Sequence, residues 1–352
     1  MTPPRALLLH APNVHTGGGF VLLKALLAAW PGGRPLVVLL DTRARGQVVL
    51  PADARVTWVA PNPGSRLNAE IYLGKVSRPG DTVLCFHGLP PLLSNRAEVV
   101  VFLQNRLYLD NKLATKYKLT TWVRLLCERF VSRIFRYRVA KYIVQTPSMR
   151  RAVSQWYGAQ ALSCLPMIRE LPFVNAMPNS FERNGVTPKW DFVYVADGEA
   201  HKNHRVLLAA WQLLAQDGLH PSLALTLSSR DLVLKRELEA QAIAAGLRIQ
   251  DLGQMPHESV FSLYSTAKAM IFPSTSESFG LPLIEAAHAG LPILAPELDY
   301  VRDVCSPVQT FDPTSPVSIA RAVKRFLAVP DPVRQLRSPQ QFWQEFLGTV
   351  SE

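Results

Sequence analysis

Two successive runs of short apolar segments, each segment parted from the next by a helical pattern, constrain the fold of this chain more than any other feature. In the first run the segments are residues 6–9, 35–40, 55–59, 82–86, 99–103 and 142–144; in the second they are 192–196, 223–227, 248–252, 269–272 and 292–295. Segments of three to six residues, largely apolar on both faces, are what a strand covered on both sides of a parallel sheet requires. Between them, residues 20–30, 204–214 and 233–245 carry helical patterns, and 285–289 lies on a further helix. Strand–helix units repeated in two blocks imply two doubly wound α/β domains. The break falls at 184–188, a polar segment with Gly185 and Pro188, which places a first domain at 1–187 and a second at 188–337. A length of 352 residues suits two domains, and no shorter repeat is superimposed.

Hydrophobic residues make up 48% and charged residues 18%, a balance that excludes disorder over most of the chain. The net charge of +11 is unevenly spread. Residues 1–188 hold 24 basic and 9 acidic side chains, net +15, while 189–352 hold 14 and 18, net −4. The first half therefore calls for an anionic partner: nucleic acid, phosphate or an anionic membrane. Cys85, Cys127, Cys164 and Cys305 form no C-x-x-C pair and lie near no histidine cluster. That argues against a metal site or a disulfide framework and for a reducing, cytoplasmic compartment. The opening apolar run is too short for a leader, and no window approaches 18 apolar residues, so any membrane contact is expected to be peripheral.

The most specific stretch is 272–292, FPSTSESFGLPLIEAAHAGLP. It leaves a strand, turns and opens a helix, so the backbone N–H groups of Ser278, Phe279, Gly280 and Leu281 are unpaired at a helix N-terminus. Free donors and the helix dipole suit a phosphate there, and Gly280 permits close approach. Glu277 precedes the helix and Glu285 stands about two turns into it. By itself the stretch fits a plain N-capped helix equally well; two glutamates around Ser-Phe-Gly-Leu-Pro favour a site. Gly17, Gly18 and Gly19 before helix 20–30 make a second phosphate-sized helix start, with a flexible turn as the plain alternative. Leu22 stands where a G-x-G-x-x-G fingerprint needs its last glycine, so a dinucleotide motif fits poorly.

Residues 272–292 resemble the E-x7-E signature of the family 4 glycosyltransferases, the group 1 type. Other features fall in the family's order: the glycine turn 17–19, the strand and lysine-bearing loop 192–203, and the strand end 252–256 followed by Leu263 and Tyr264. The resemblance spans most of the chain, strongly over 250–296 and faintly over 30–180. It implies the GT-B fold: two Rossmann-like domains facing a central cleft, with a helix in 338–352 crossing back to the first. It implies a retaining enzyme that moves a sugar from a nucleotide-diphosphate sugar, bound by 188–337, to an acceptor hydroxyl bound by 1–187. No metal or other cofactor is expected. The implied setting is surface-polysaccharide, lipopolysaccharide or glycolipid assembly, in the cytoplasm or on the inner face of the plasma membrane. Carried over residue by residue, Glu277 meets donor-sugar hydroxyls and Glu285 the ribose hydroxyls. The amides of Ser278, Phe279, Gly280 and Leu281 take sugar or diphosphate oxygens. Lys202 neutralises the diphosphate as charge develops on it, Gly18 and Gly19 face that diphosphate across the cleft, and Met255 lies where the base binds.

The chain also departs from the family. Many relatives carry a site histidine after the fifth strand; here Gln104 and Asn105 stand there, and Gln104 can hydrogen-bond a sugar hydroxyl but cannot act as a base. His87, one strand earlier, is a candidate in its place, with a core-edge histidine as the plain reading. The basic residue usual after the first donor-domain strand is replaced by Ala196 and Asp197, leaving Lys202 between His201 and His204. These departures keep open a non-catalytic GT-B binding partner; a sugar-nucleotide epimerase of the same fold is a further alternative. A nucleic-acid binder is suggested by charge alone, without a recognition motif. Finally, 112–141 holds nine Lys or Arg and one acid, Glu128. Arg129, Arg133 and Arg136 share one helical face, and Val123, Cys127, Phe130 and Ile134 the other. This is either the solvated face of a packed helix or a contact for anionic lipid headgroups, with Tyr117, Trp122 and Tyr137 as interfacial anchors.

Overall fold

The computed structural model describes residues 5–109, 119–157, 167–171 and 187–330. The first sheet has seven strands: β1 (Leu7–Ala11), β2 (Leu36–Asp41), β3 (Arg55–Val59), β4 (Thr82–Cys85), β5 (Glu98–Phe102), β6 (Lys141–Val144) and β7 (Met167–Glu170). The second has six: β8 (Trp190–Tyr194), β9 (Leu223–Leu225), β10 (Ile249–Asp251), β11 (Ala267–Ile271), β12 (Ile293–Pro296) and β13 (Gln309–Phe311). Their orders are 3-2-1-4-5-6-7 and 10-9-8-11-12-13, and every pairing is parallel. Both sheets thus reverse their winding once, between β1 and β4 and between β8 and β11. At such a reversal the loops leaving the two central strands part, and a crevice opens at their carboxyl ends.

The apolar runs of the sequence become these strands because successive side chains feed opposite faces. Leu8, Val83, Val101 and Tyr142 pack into one core layer of the first domain, and Leu9, Val38, Phe86 and Phe102 into the other. Helices α1 (Gly17–Ala28), α2 (Pro63–Val76), α3 (Leu119–Phe135) and α4 (Pro147–Tyr157) accompany the first sheet. The second carries α5 (His204–Gln216), α6 (Leu232–Ala244), α7 (His257–Ser265), α8 (Leu281–His288), α9 (Asp299–Arg302) and α10 (Pro316–Phe326). There Phe192 lies edge-on to Trp211 of α5 and Phe326 of α10, each ring 5.6 Å away.

β7 and β13 escape the sequence reading. Each lies at a sheet edge, where one-sided burial lets Met-Ile-Arg-Glu and Gln-Thr-Phe stay polar. The boundary read at 187/188 falls between Glu170 of β7 and Trp190 of β8, with 172–186 outside the described residues. So do Tyr117, Cys164 and the whole of the expected crossover helix in 338–352.

Among the described residues the two domains meet along a seam of polar contacts. The Ser148 amide at the start of α4 donates to Asp303 Oδ2 at 2.8 Å, Arg151 pairs with Asp299 at 2.9 Å, and Thr146 Oγ1 donates to the Ser278 carbonyl at 3.2 Å. Asp303 thereby satisfies an orphan amide of a helix in the other domain.

Phe192→Ala, which empties a fully buried ring site, is expected to cost about 3–5 kcal/mol, whereas Val123→Ala on the exposed side of α3 is expected to stay within about 0.5 kcal/mol. Urea unfolding midpoints of the two variants check the contrast.

Candidate active site

At the reversal of the second sheet, two loops leave β8 and β11 side by side and are stitched together by backbone groups. The His201 carbonyl accepts from the Thr275 amide at 2.8 Å and from the Thr275 and Ser274 hydroxyls at 3.2 Å. Tyr194 of β8 donates its hydroxyl to the Lys202 carbonyl at 2.7 Å. Asn203 follows in the left-handed region, φ 65°, a conformation asparagine tolerates better than most residues. Its side-chain amide donates to the carbonyls of Pro273 (3.2 Å) and Pro313 (2.6 Å). This scaffold fixes Lys202 Nζ 2.7 Å from Glu277 Oε1, with the two side chains only 16% and 12% exposed.

Burial opposes the charge on Lys202, but Glu277, Asp197 and Glu199 outweigh it and hold the ammonium pKa above its ordinary value. The same cation acts the other way on its neighbours. Burial first, and then Lys202, push His201 and His204 down to about 3, so both imidazoles are neutral around a permanent cation.

Gly280, at φ 69°, caps α8; a Cβ there would be strained by its backbone and would meet Leu283 at 3.2 Å. Among the described residues no hydrogen bond is formed by the amides of Ser278, Phe279, Gly280 or Leu281, so four donors stand free beside the Lys202–Glu277 pair, as the sequence suggests. Glu285 lies just over one turn into α8, not two, because the helix opens only at Leu281. It is buried, with His257 Nε2 2.7 Å from Oε1 and the Tyr264 hydroxyl donating to Oε2 at 3.4 Å. Met255, half-buried against the second core, sits on the loop that enters α7 two residues before His257.

The first domain contributes from its own reversal. Gly17–Ala28 begins with the glycine turn, and a Cβ on Gly18 would lie 3.8 Å from Leu281 of the other domain. A Cβ on Gly19 would meet Gln104 Oε1 at 3.0 Å. Gln104 is anchored through Nε2 to the Phe86 carbonyl at 2.7 Å, immediately before His87. Gly18, Gly19, Gln104 and Leu281 are therefore neighbours. His87 Nδ1 lies 3.1 Å from the His10 carbonyl. A carbonyl can only accept, so Nδ1 carries the proton and Nε2 is left as an acceptor. Burial, reinforced by Arg66, holds His87 down at about 4 despite that bond. Sequence reasoning missed Arg66 and His257. Only the place of His257 beside Pro256, at the start of the helix that follows the base-side strand, hinted at the second. Among the described residues no group of three or more His, Cys, Asp or Glu side chains gathers as metal ligands.

The His257–Glu285 contact has a sign that can be tested. Its hydrogen bond to Glu285 raises the imidazole pKa above 6.5, against burial and Lys24, with Glu258 adding to the rise. A pKa raised on folding gives stability that is complete below the unfolded value of about 6.5 and lost as pH rises through the folded value. The melting temperature of the wild type should therefore exceed that of His257→Gln by more at pH 6 than at pH 9.

Comparison with known proteins agrees with this geometry. The family model described as "Glycosyl transferases group 1" matches residues 177–340. The "Serotype-specific mannosyltransferase WbdA" of Escherichia coli is 29% identical over 161 residues, covering 43% of this chain and 19% of that protein. The "O-antigen chain mannosyltransferase B" of Escherichia coli is 33% identical over 121 residues, covering 32% of this chain and 30% of its own length. The chain thus spans less than a third of either relative. Among solved structures, Anabaena Alr3699/HepE in complex with UDP and glucose superposes with a TM-score of 0.60 at 14% identity, over 92% of this chain and 90% of that one, which identifies the fold as GT-B. The family model thus lies on the domain that holds Lys202, Glu277 and Glu285, and residues 177–340 match the group 1 glycosyltransferases.

Proposed function

We propose that this protein is a retaining glycosyltransferase that transfers a sugar from a nucleotide-diphosphate sugar to an acceptor hydroxyl in surface-polysaccharide or lipopolysaccharide assembly. The observation that carries the reading is the buried Lys202–Glu277 pair set beside the four free amides at 278–281, with Glu285 one turn further along α8. An entering diphosphate takes the place of Glu277 on Lys202, and the amides add neutral donors at a helix start. Glu277, released from the lysine, is free to accept from sugar hydroxyls. Glu285 accepts from the ribose, and the loop carrying Met255 adjoins the base. In the transfer, the bond from the anomeric carbon to the diphosphate oxygen breaks and one to the acceptor oxygen forms. The acceptor proton goes to the departing phosphate, whose growing charge Lys202 offsets. Gly18, Gly19, Gln104 and His87 line the opposite wall, where 1–187 holds the acceptor. The polymer setting is supported by the names of the mannosyltransferase relatives, and a nucleotide-sugar donor by the UDP and glucose in the cyanobacterial structure.

For the acceptor side, α3 supports contact with an anionic membrane. The sequence leaves open a helix with its basic face outward and its apolar face packed. In the structure the apolar face is outside: Leu119, Val123, Leu126, Phe130 (65% exposed), Ile134 and Tyr137 (72%) form one stripe. The helix packs inward through Leu125 and Ser132, and Arg129 turns in to donate to the Leu107 carbonyl at 2.7 Å. An exposed apolar stripe on a domain of net positive charge matches an anionic lipid surface. No described helix is long and apolar enough to cross a membrane.

In thermal-shift assays across uridine, guanosine, adenosine and thymidine diphosphate sugars, one donor is expected to stabilise the wild type. At 100 times its dissociation constant the gain is about 2.7 kcal/mol, and Lys202→Ala and Glu285→Ala should show none of it. Equal response of the variants, or no response from the wild type, overturns the donor site. With the same donor, Lys202→Ala should lower kcat about 100- to 1000-fold. The protein should also sediment with phosphatidylglycerol vesicles and less with phosphatidylcholine, and Phe130→Glu with Ile134→Glu should abolish the difference. Equal sedimentation with both lipids refutes the membrane contact.

A further inference from the structure

On the proposed function Glu285 meets a ribose, yet this buried carboxylate is already hydrogen-bonded within the protein. Glu285 carries two oxygens with about four acceptor directions between them. His257 Nε2 occupies one on Oε1 at 2.7 Å, and the Tyr264 hydroxyl one on Oε2 at 3.4 Å. One direction is left on each oxygen. Two adjacent acceptors on one carboxylate match a vicinal diol, whose two hydroxyls donate side by side.

The two holders differ in how firmly they hold. Tyr264 is fully buried and its bond is long; His257 is a quarter exposed, its bond is short, and its ring is fixed edge-on against Phe261 at 5.4 Å. Without the His257 bond, the carboxylate is tethered only by the long bond and is free to turn about its terminal torsion, which is broad. Its two remaining acceptor directions then no longer sit in one plane for the diol.

We infer that His257 is a positioning residue that locks the Glu285 carboxylate in the orientation that receives both hydroxyls of a ribose, and so sets the preference of the site for ribo- over deoxyribonucleotides. The inference rests on the proposed donor site. It makes His257 a specificity determinant that touches no substrate and acts through Glu285.

The test is calorimetric. Dissociation constants are measured for UDP, GDP, ADP and CDP and, for whichever binds, for its 2′-deoxy form, on the full chain. A hydrogen bond to a charged group corresponds to roughly a 10-fold or larger loss when the hydroxyl is removed, so the wild type should discriminate against the deoxynucleotide by about that ratio. His257→Phe, which keeps the ring but not the donor, should reduce the ratio to about 3-fold or less, chiefly by weakening the ribonucleotide. His257→Gln, which restores an N–H at similar reach, should recover most of it. A merely structural role would weaken both nucleotides equally and leave the ratio intact. A wild-type ratio in His257→Phe, with nucleotide still bound, overturns the inference and leaves the donor site standing. No diphosphate binding to the wild type overturns the donor site itself.

Discussion

A parallel sheet wound in two directions leaves a gap where the direction changes, and everything of chemical interest here depends on two such gaps. Between β8 and β11 the crossover connections go to opposite sides, so no helix covers the carboxyl ends of these two strands. The loops that leave them satisfy their backbone groups largely through each other. That need is met by the His201 carbonyl accepting from Ser274 and Thr275 and by Asn203 bridging Pro273 and Pro313. Residues 75 apart in the chain, Lys202 and Glu277, become a 2.7 Å pair as a by-product of closing that gap. The same geometry in the first sheet brings the glycine turn after β1 beside Gln104 and the loop after β4.

A cation buried in this way is costly unless carboxylates surround it. Glu277, Asp197 and Glu199 supply that surround, and the neutral imidazoles of His201 and His204 keep competing positive charge away. On the proposed reading, the arrangement is a placeholder: a carboxylate keeps Lys202 charged and in position until a diphosphate, with more charge and more acceptor oxygens, replaces it. The absent second basic residue after β8 then leaves the four amides at 278–281 as the remaining donors, neutral groups that need no counter-charge when the site is empty.

How much of this was legible in the residues follows from range and from burial. Strands buried on both faces announce themselves locally, which is why 35–40 and 99–103 fall within a residue of β2 and β5, while the polar edge strands β7 and β13 do not. Glu277, Gly280 and Glu285 were legible because their chemistry is packed into one turn and one helix. His257 was not, because its meaning is a contact with a residue 28 positions away. For α3 the periodicity revealed an amphipathic helix but not which side faces inward. Arg129 reaching the Leu107 carbonyl, and Ser132 packed beneath, reverse the usual assignment.

The seam between the domains bears on how such a site works. Its contacts fall on the loop and helix next to the donors: Thr146 grips the Ser278 carbonyl, Gly18 abuts Leu281, and Asp303 caps α4. Among the described residues the seam also holds the Arg151–Asp299 ion pair, and none of these contacts is a large apolar surface. A hydrogen bond of this kind nets about 1 kcal/mol, and an exposed ion pair contributes about as little. The Thr146 bond and the Gly18 approach fall on 278–281 itself, the segment that supplies the free amides, whereas Asp299 and Asp303 tie α9 and its end to α4. The first domain and the backbone of the 278–281 turn are therefore coupled through Thr146 and Gly18, and on the proposed reading a ligand held by those amides meets a turn that the first domain also holds.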